Sequence, residues 1–519
     1  MKKLILLPII VSLLNSINLN AQVSNVFIAR DYSGEGSGRA MVMDNSGNIF
    51  VCGDVSNLYT VSKYSAQGEI IWSSKQTEGK AYNLFLSGNS YIYTAGILTS
   101  GSSKDVIVRK VDTSSSVLWT KILESNINFS DYVNIISDHN GNSLVNYSIQ
   151  DSNAQTTEYV VKKCDSQGNV LYTFRRTQPG YGESKIKSDA NGNLYQLYCE
   201  AFEIEKLNSS GSSLWKKAYN ESDSNYASDL DIDANANVYL IGTQINPGTE
   251  RDFATVKYNS SGTLQWSRFY NNDSALTHNF DEGVCISIGS DGYIYSVGEA
   301  HRGNQPGAYK CLRVIKYDQN GNEIWHTNSF TTEIVGVRSV GVDYQSNVYV
   351  GYNQRGLNGG SIHPAFIRKF SSSGDPVWVE AGYTRENLYQ LVVDGSYNVY
   401  TVGMSKNSLD GYLLTLRKYG QSSVGITNTG TQLDYSLSQN YPNPFNPTTD
   451  INFTIKKQGF VKIVIYNQLG KEIRTLVNKP LQAGEYRYTF NASGLSSGIY
   501  FYKLSVNDFT ETRKMILLK

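Results

Sequence analysis

The chain has 519 residues, with 46 basic and 46 acidic side chains and a formal net charge of zero. That balance, with no basic block, argues against nucleic acid or anionic lipid as the main partner. The 38 Tyr and 45 Gly against 10 Pro describe a turn-rich β protein, and five Cys are too few and too scattered for a disulfide scaffold.

At the N-terminus, Lys2 and Lys3 precede an apolar stretch over 4–14, and residues 18–21 lead to a cut before Gln22. The stretch is too short to span a bilayer as a stable helix and reads as an export signal over 1–21. No Cys stands at the cut, which argues against a lipoprotein, and no later stretch is apolar enough for a transmembrane helix. Losing Lys2 and Lys3 leaves 44 basic side chains against 46 acidic ones, a formal charge near −2.

Residues 22–420 carry one unit repeated at a spacing of roughly 50 residues. One half reads D-x-x-G-N-x-Y-x-x-G, at 44–53, weakly at 88–96, and again at 138–145, 189–197, 233–242, 291–298, 343–351 and 394–403. The other half reads K-Y-(D/N/S)-x-x-G-x-x-x-W and places Trp72, Trp119, Trp215, Trp266, Trp325 and Trp378, with Tyr172 in the third copy. Each copy lays out as four strands joined by Asp/Asn/Gly turns, which tolerate positive φ. In the clearest copy these are 283–289, 293–299, 311–317 and 323–328.

A four-stranded sheet repeated radially is a propeller blade. Eight hairpins are followed by only seven Trp/Tyr strands, and residues 25–32 (NVFIARDY) resemble 265–270 (QWSRFY). The N-terminal strand is therefore expected to complete the last blade and close the ring. The fold class expected is all-β: an eight-bladed (alternatively seven-bladed) β-propeller followed by a small C-terminal β-sandwich. The repeats resemble a bacterial β-propeller family with a D-x-x-x-x-K-Y-x-x-x-G-x-x-x-W core, best at 252–266 (DFATVKYNSSGTLQW) and 313–325 (RVIKYDQNGNEIW). Fold does not fix function, and that resemblance implies only a surface or secreted protein.

Catalytic signatures are sparse. Asp229, Asp231 and Asp233, and Asp189, Asn191 and Asn193, resemble fragments of a calcium loop but lack its closing Glu. No cofactor is expected, with calcium the one to test. The Gly-x-x-x-Trp spacing resembles the docking motif of quinoprotein dehydrogenases, without their vicinal Cys pair. His139, His278, His301, His326 and His363 are scattered, with no H-E-x-x-H or G-x-S-x-G. The five Cys read as buried small hydrophobes, with room for one bridged pair. Connections lengthen at 272–282, 300–310 and 353–364, where Arg302, Tyr309, Arg355 and His363 are candidate ligand-binding residues at one mouth of the ring.

After a polar linker (421–434), Pro442, Pro444 and Pro447 exclude helix or central strand over 440–449. Alternation then resumes at Ile451, Phe453 and Ile455, at Val461, Ile463 and Ile465, and at Tyr486, Tyr488 and Phe490. Six or seven short strands suit a small sandwich over 435–519. The stretch YSLSQNYPNPFNP, the GEY turn, the SGIYFY strand and the basic end closely resemble the C-terminal sorting domain of the type IX (Por) secretion system. The resemblance places its motif on Asn440, Tyr441, Pro442, Asn443, Pro444, Phe445, Gly484, Tyr486, Gly498, Tyr500, Lys514 and Lys519. It implies Sec export followed by passage across the outer membrane. Its partners would be the secretion machinery and a signal peptidase that removes the domain near 420–433.

The expected protein is a monomeric, secreted or surface-bound module that binds a glycan, peptide or protein and has no catalytic residues. The alternative is a secreted carbohydrate-active enzyme with a carboxylate pair lining the channel.

Overall fold

The computed structural model describes residues 23–31, 33–127, 129–138, 140–219, 225–246, 250–270, 281–302, 309–327, 334–354, 364–381, 386–406, 411–421, 436–437, 439–440, 443–455, 459–481, 484–507 and 509–518. The chain divides into two compact units, Met1–Ser423 and Val424–Lys519.

In the first unit, short runs of Val, Ile and Tyr bounded by Asp, Asn and Gly turns form antiparallel strands. Among the described residues these make six four-stranded sheets and one seven-stranded sheet. A typical sheet follows chain order, as in Tyr226–Ile232, Val238–Asn246, Glu250–Tyr258 and Leu264–Tyr270. The seven-stranded sheet is two such sets sharing one long strand, Ile70–Ser87. Its residues 70–78 pair with Leu58–Tyr64, and its residues 79–87 pair with Tyr91–Ser100. One sheet departs from chain order. Glu386–Val393, Val399–Lys406 and Tyr412–Gln421 receive Val23–Arg30 as their outer strand, so the N-terminal strand does complete the last sheet.

Successive sets pack face to face. Phe50, Cys52 and Tyr59 of the first set meet Ala81, Leu84 and Ile107 of the second. Tyr349, Ala365 and Ile367 meet Leu388, Leu391 and Val399 further along. The last set then meets the first through Ala29, Val402 and Leu414 against Met41, Ile49 and Val51. The packing is therefore cyclic and propeller-like, and both faces of most sheets are apolar because both are covered.

Strand direction gives the ring two chemically different ends. Strands alternate in direction, so the first-to-second and third-to-fourth turns share one end. The second-to-third and set-to-set connections share the other. The innermost strand of most sets carries a β-bulge that leaves one residue out of register: Arg39, Tyr82, Ser228, Val284, Arg338 or Tyr389. Such a residue is freed from the ladder and re-aimed.

In the copy expected at 283–328, the strands are Glu282–Ile288, Ile294–Arg302, Tyr309–Tyr317 and Glu323–His326. The ladder continues through Ala300↔Cys311, His301↔Lys310 and Arg302↔Tyr309. Part of the expected long connection is thus hairpin. All five Cys are buried and none forms a disulfide. Burial pushes the Cys52, Cys199 and Cys285 thiols up to about 12.

The second unit contains a three-stranded sheet of Ser436–Leu437, Thr448–Ile455 and Gly484–Asn491. Beside it lies a four-stranded sheet of Glu472–Leu481, Gly459–Asn467, Gly498–Val506 and Phe509–Leu517. Ile451, Phe453, Ile455, Val461, Ile463, Ile465, Phe490, Met515 and Leu517 fill one core between them. Thr448 and Thr449 lie in the middle strand of the smaller sheet, contrary to the expectation for 440–449. Pro447 is the last proline of that segment, and every residue of the strand Thr448–Ile455 has its N–H to give.

Candidate functional site

The repeat signature occupies the tight-turn end of the ring. In each D-x-x-x-N turn the Asp Oδ1 accepts the N–H groups two and four residues on, and the Asn amide donates to Oδ2, as at Asp233 and Asn237 (2.7–2.9 Å). A Tyr hydroxyl adds a bond to the same Oδ2, 3.1 Å from Tyr239 and 2.8 Å from Tyr349 to Asp343. The signature Lys lies over that Tyr ring, with Lys257 Nζ 5.0 Å from the Tyr239 centroid, a cation–π contact.

Lys and Trp then reach across to the following set together. Lys257 Nζ and Trp266 Nε1 both donate to the Gln319 carbonyl, at 2.8 and 3.0 Å. Lys206 and Trp215 share the Ser260 carbonyl, Lys110 and Trp119 that of Ser166, and Lys63 and Trp72 that of Thr113. The indole also lies flat on the next turn's glycine. A Cβ on Gly321 would stand 2.7 Å from Trp266 ring carbon, and its φ of +77° already favours glycine. Where the ring closes, Phe27 takes the indole's place against Gly68, and Lys418 donates to the Ala66 carbonyl. The Asp, Tyr, Lys, Gly and Trp of the signature thus latch one sheet to the next. The Gly-x-x-x-Trp spacing sets the indole of one sheet against the turn glycine of the next.

These turns also set the acid limit of the fold. Burial pushes the Asp138, Asp291 and Asp318 carboxyls up, but the hydrogen bonds they accept more than cancel it, and all three sit below the ordinary Asp range. A carboxyl with a lowered folded pKa contributes stability above its unfolded value of about 3.9, lost as pH falls through the folded pKa. The urea midpoint is expected to hold from pH 7 to 5 and to fall below about pH 4. An equal midpoint at pH 5 and pH 3 would contradict this.

The calcium-like triplet does not act as one group. Asp229 pairs with Lys185 at 3.3 Å and accepts Ile286 N–H; Asp231 pairs with Lys187 at 3.1 Å and accepts Ile288 N–H. Asp233 serves its own turn. Burial would lower the Lys185 pKa, but Asp229 and Tyr132 raise it above the usual lysine value. Other inner strands are bridged in the same way, Met41 N–H donating to Gln390 Oε1 at 2.7 Å and Leu391 N–H to Ser339 Oγ at 3.2 Å.

The opposite end carries the long connections and a charged rim. Arg251 Nη1 and the Tyr226 hydroxyl meet Glu282 Oε1 at 2.9 and 3.0 Å. Lys310 Nζ lies 2.8 Å from Glu299 Oε2 and 3.8 Å from Glu282 Oε2, and Val337 N–H donates to Glu299 Oε1. Burial lowers the Lys310 pKa, and Glu299 more than reverses it. Nearby, Glu386 is buried against Arg417 and lies 3.7 Å from Arg30. The cavity beside it, lined by Leu388, Thr401, Thr415 and Tyr419, holds about 20 Å³, room for about one water.

Of the expected ligand residues, Arg302 and Tyr309 form the last pair of the 294–317 hairpin, at this end. Arg355 and His363 lie outside the described residues, as do His139 and His278. His326 is exposed, with Nδ1 2.6 Å from Glu323. Sequence reasoning missed Arg39, Tyr82, Arg338 and Tyr389. The signal was available: each stands five residues before the first residue of its hairpin turn.

In the second unit polar side chains of the proline segment, acting as donors and as acceptors, anchor it to its neighbours. Asn440 is buried, its N–H donating to the Tyr502 hydroxyl at 2.7 Å and its Nδ2 to Thr449 Oγ1 at 2.8 Å. Asn443 Oδ1 accepts Ile516 N–H, and Gln439 Nε2 donates to the Lys514 carbonyl. Phe445 is buried against Phe490 and exchanges backbone bonds with Ile516 and Leu518. The proline segment is therefore strapped along the last strand.

Residues 439–518 match the family described as secretion system C-terminal sorting domain. This segment is a type IX sorting domain. The sorting domain indicates export to the cell surface or secretion by that system. Within it Tyr486 stacks on Phe453 at 5.4 Å, Tyr500 donates to the Ser496 carbonyl, Gly484 and Gly498 open strands, Pro444 follows Asn443 in the strap, and Lys514 is exposed. Tyr441, Pro442 and Lys519 of the sorting motif lie outside the described residues.

No curated protein matches the chain. Among solved structures it is similar to PorZ, an essential surface component of the type IX secretion system of Porphyromonas gingivalis. That alignment has 12% identity, covers 93% of this chain and 75% of that one, and gives a TM-score of 0.32. A eukaryotic initiation factor aligns over 88% of this chain and 98% of its own, at 10% identity and a TM-score of 0.38. An acylaminoacyl peptidase of Pyrococcus horikoshii aligns over 72% and 58%, at 12% identity and 0.38. At these scores the likenesses carry no argument about activity.

Proposed function

We propose that the chain is an exported, non-enzymatic binding module. In this reading residues 22–420 form an eight-bladed ring that takes a glycan, peptide or protein partner at its long-connection end. Residues 1–21 are an export signal, 421–434 a linker, and 435–519 the sorting domain, which the signal peptidase of the secretion system removes. The observation that carries it is the contrast between the two ends. The repeat signature is consumed in latching sheets at one end, while unrepeated charged and aromatic residues gather at the other. Glu282 and Glu299, the acids nearest a hydrolase pair, are each engaged by a cation there.

A thermal-shift panel on the whole chain against glycans, peptides and divalent metals tests the reading. A partner present at about a hundred times its dissociation constant adds roughly 2.7 kcal/mol and raises the midpoint visibly. The shift is expected to disappear in Lys310→Ala and to persist in Lys217→Ala, on an outer strand. A flat panel, or turnover of any glycan tested, would overturn the non-enzymatic small-partner reading.

A further inference from the structure

Midway along two inner strands stand two guanidinium groups that the latches do not employ. Arg39 and Arg338 occupy bulge positions on inner strands either side of Glu386–Val393, whose own bulge residue is Tyr389. The three strands are tied at that level by the Met41–Gln390 and Leu391–Ser339 bonds. The Arg39 guanidinium stands 4.6 Å above the Tyr82 ring, and its nearest carboxylate, Asp54, is 3.7 Å away and already accepts Ser37 Oγ–H at 2.9 Å. Arg39 Nε is buried without a hydrogen-bond partner. Arg338 is exposed and makes a long 3.4 Å contact to Asn353 Oδ1. The half-exposed Tyr389 hydroxyl faces the Met404 sulfur at 3.7 Å, a weak acceptor. Burial raises the Tyr389 pKa, while Arg39 and Arg338 both act on the same hydroxyl to lower it. Asp54 and Tyr412 act on it in the opposite direction.

A guanidinium fork matches a carboxylate in shape and charge, and a tyrosine ring offers an apolar face with a polar tip. A uronic acid presents both complements, a carboxylate on a ring with an apolar face. Resting on the reading of the long-connection end as the binding face, with these residues on the strands that run inward from it, we propose that Arg39, Arg338 and Tyr389 bind the carboxylate-bearing sugar of an acidic oligosaccharide. Tyr82 is a positioning residue that holds Arg39 in place from below.

The test is isothermal titration of the whole chain with oligogalacturonate, with its carboxyl-reduced neutral counterpart and with a glutamate oligopeptide. Oligogalacturonate is expected to bind, more weakly as salt rises, and the neutral sugar and peptide are not. Arg338→Gln, at an exposed position, and Arg39→Gln are each expected to weaken binding about tenfold or more at an unchanged melting temperature. Oligogalacturonate that fails to bind, or binds the variants as tightly as the parent, overturns the proposal. Equal binding of the peptide through the same arginines overturns the sugar assignment. If another partner binds and is lost in Lys310→Ala but kept in Arg338→Gln, this inference fails while the broader reading of the face stands.

Discussion

Replacing Trp266 by alanine is expected to destabilise the ring by about 3–5 kcal/mol, the range for truncating a large buried aromatic. The indole is 8% exposed and lies between the sheet of 226–270 and the next one. It packs on Tyr239 at 6.0 Å and Tyr317 at 5.9 Å, covers Gly321, and donates to the Gln319 carbonyl. Alanine removes all four contacts and leaves a hole that the flanking strands, each held by two ladders, cannot close. Urea unfolding followed by tryptophan fluorescence reads the loss. Trp215 has the same hydrogen bond but a more open setting, so Trp215→Ala should cost less. Equal and small losses at both sites would mean that the latch contributes little.

Removing residues 23–31 is expected to have a larger effect, because it removes an element and not a side chain. The strand Tyr412–Gln421 would lose its ladder partner from Thr415 to Gln421 and present a bare edge. Phe27 would leave Gly68, and Arg30 would leave Glu386, which stays buried against Arg417. Loss of the cooperative melt and concentration-dependent association in light scattering are the expected readouts. A synthetic peptide of residues 23–31 should restore the parent's light scattering and melt. An unassociated truncated chain with the parent melting temperature would rule out closure by this strand.

The features read correctly from sequence were those written in local chemistry. Asp233, Asn237 and Gly262 announce turns because their side chains or backbone freedom act within a few residues, and the alternation of Val461, Ile463 and Ile465 announces a buried face. The missing outer strand was legible because the repeats could be counted against each other. The lysines were not legible as latches. Lys257 looks like an ordinary exposed charge until Tyr239 beneath it and Gln319 in the next set are brought together. The arginine pair was hidden for the same reason: Arg39 is hundreds of residues from Arg338 and Tyr389 in the chain, and only the fold ties their three inner strands side by side. Residues 440–449 misled in a smaller way, since the strand resumes as soon as the last proline is passed.

The strand Tyr412–Gln421 is the last of the first unit, and it is hydrogen-bonded along both edges, to Val399–Lys406 and to Val23–Arg30. Tension arriving from the C-terminal side runs along this strand and loads both ladders in shear, so many bonds share the force at once. A strand at the rim, peeled from a single neighbour, would release its bonds one after another. Borrowing the N-terminal strand therefore places the attachment point of any surface tether inside a seam, where the chain best withstands being pulled.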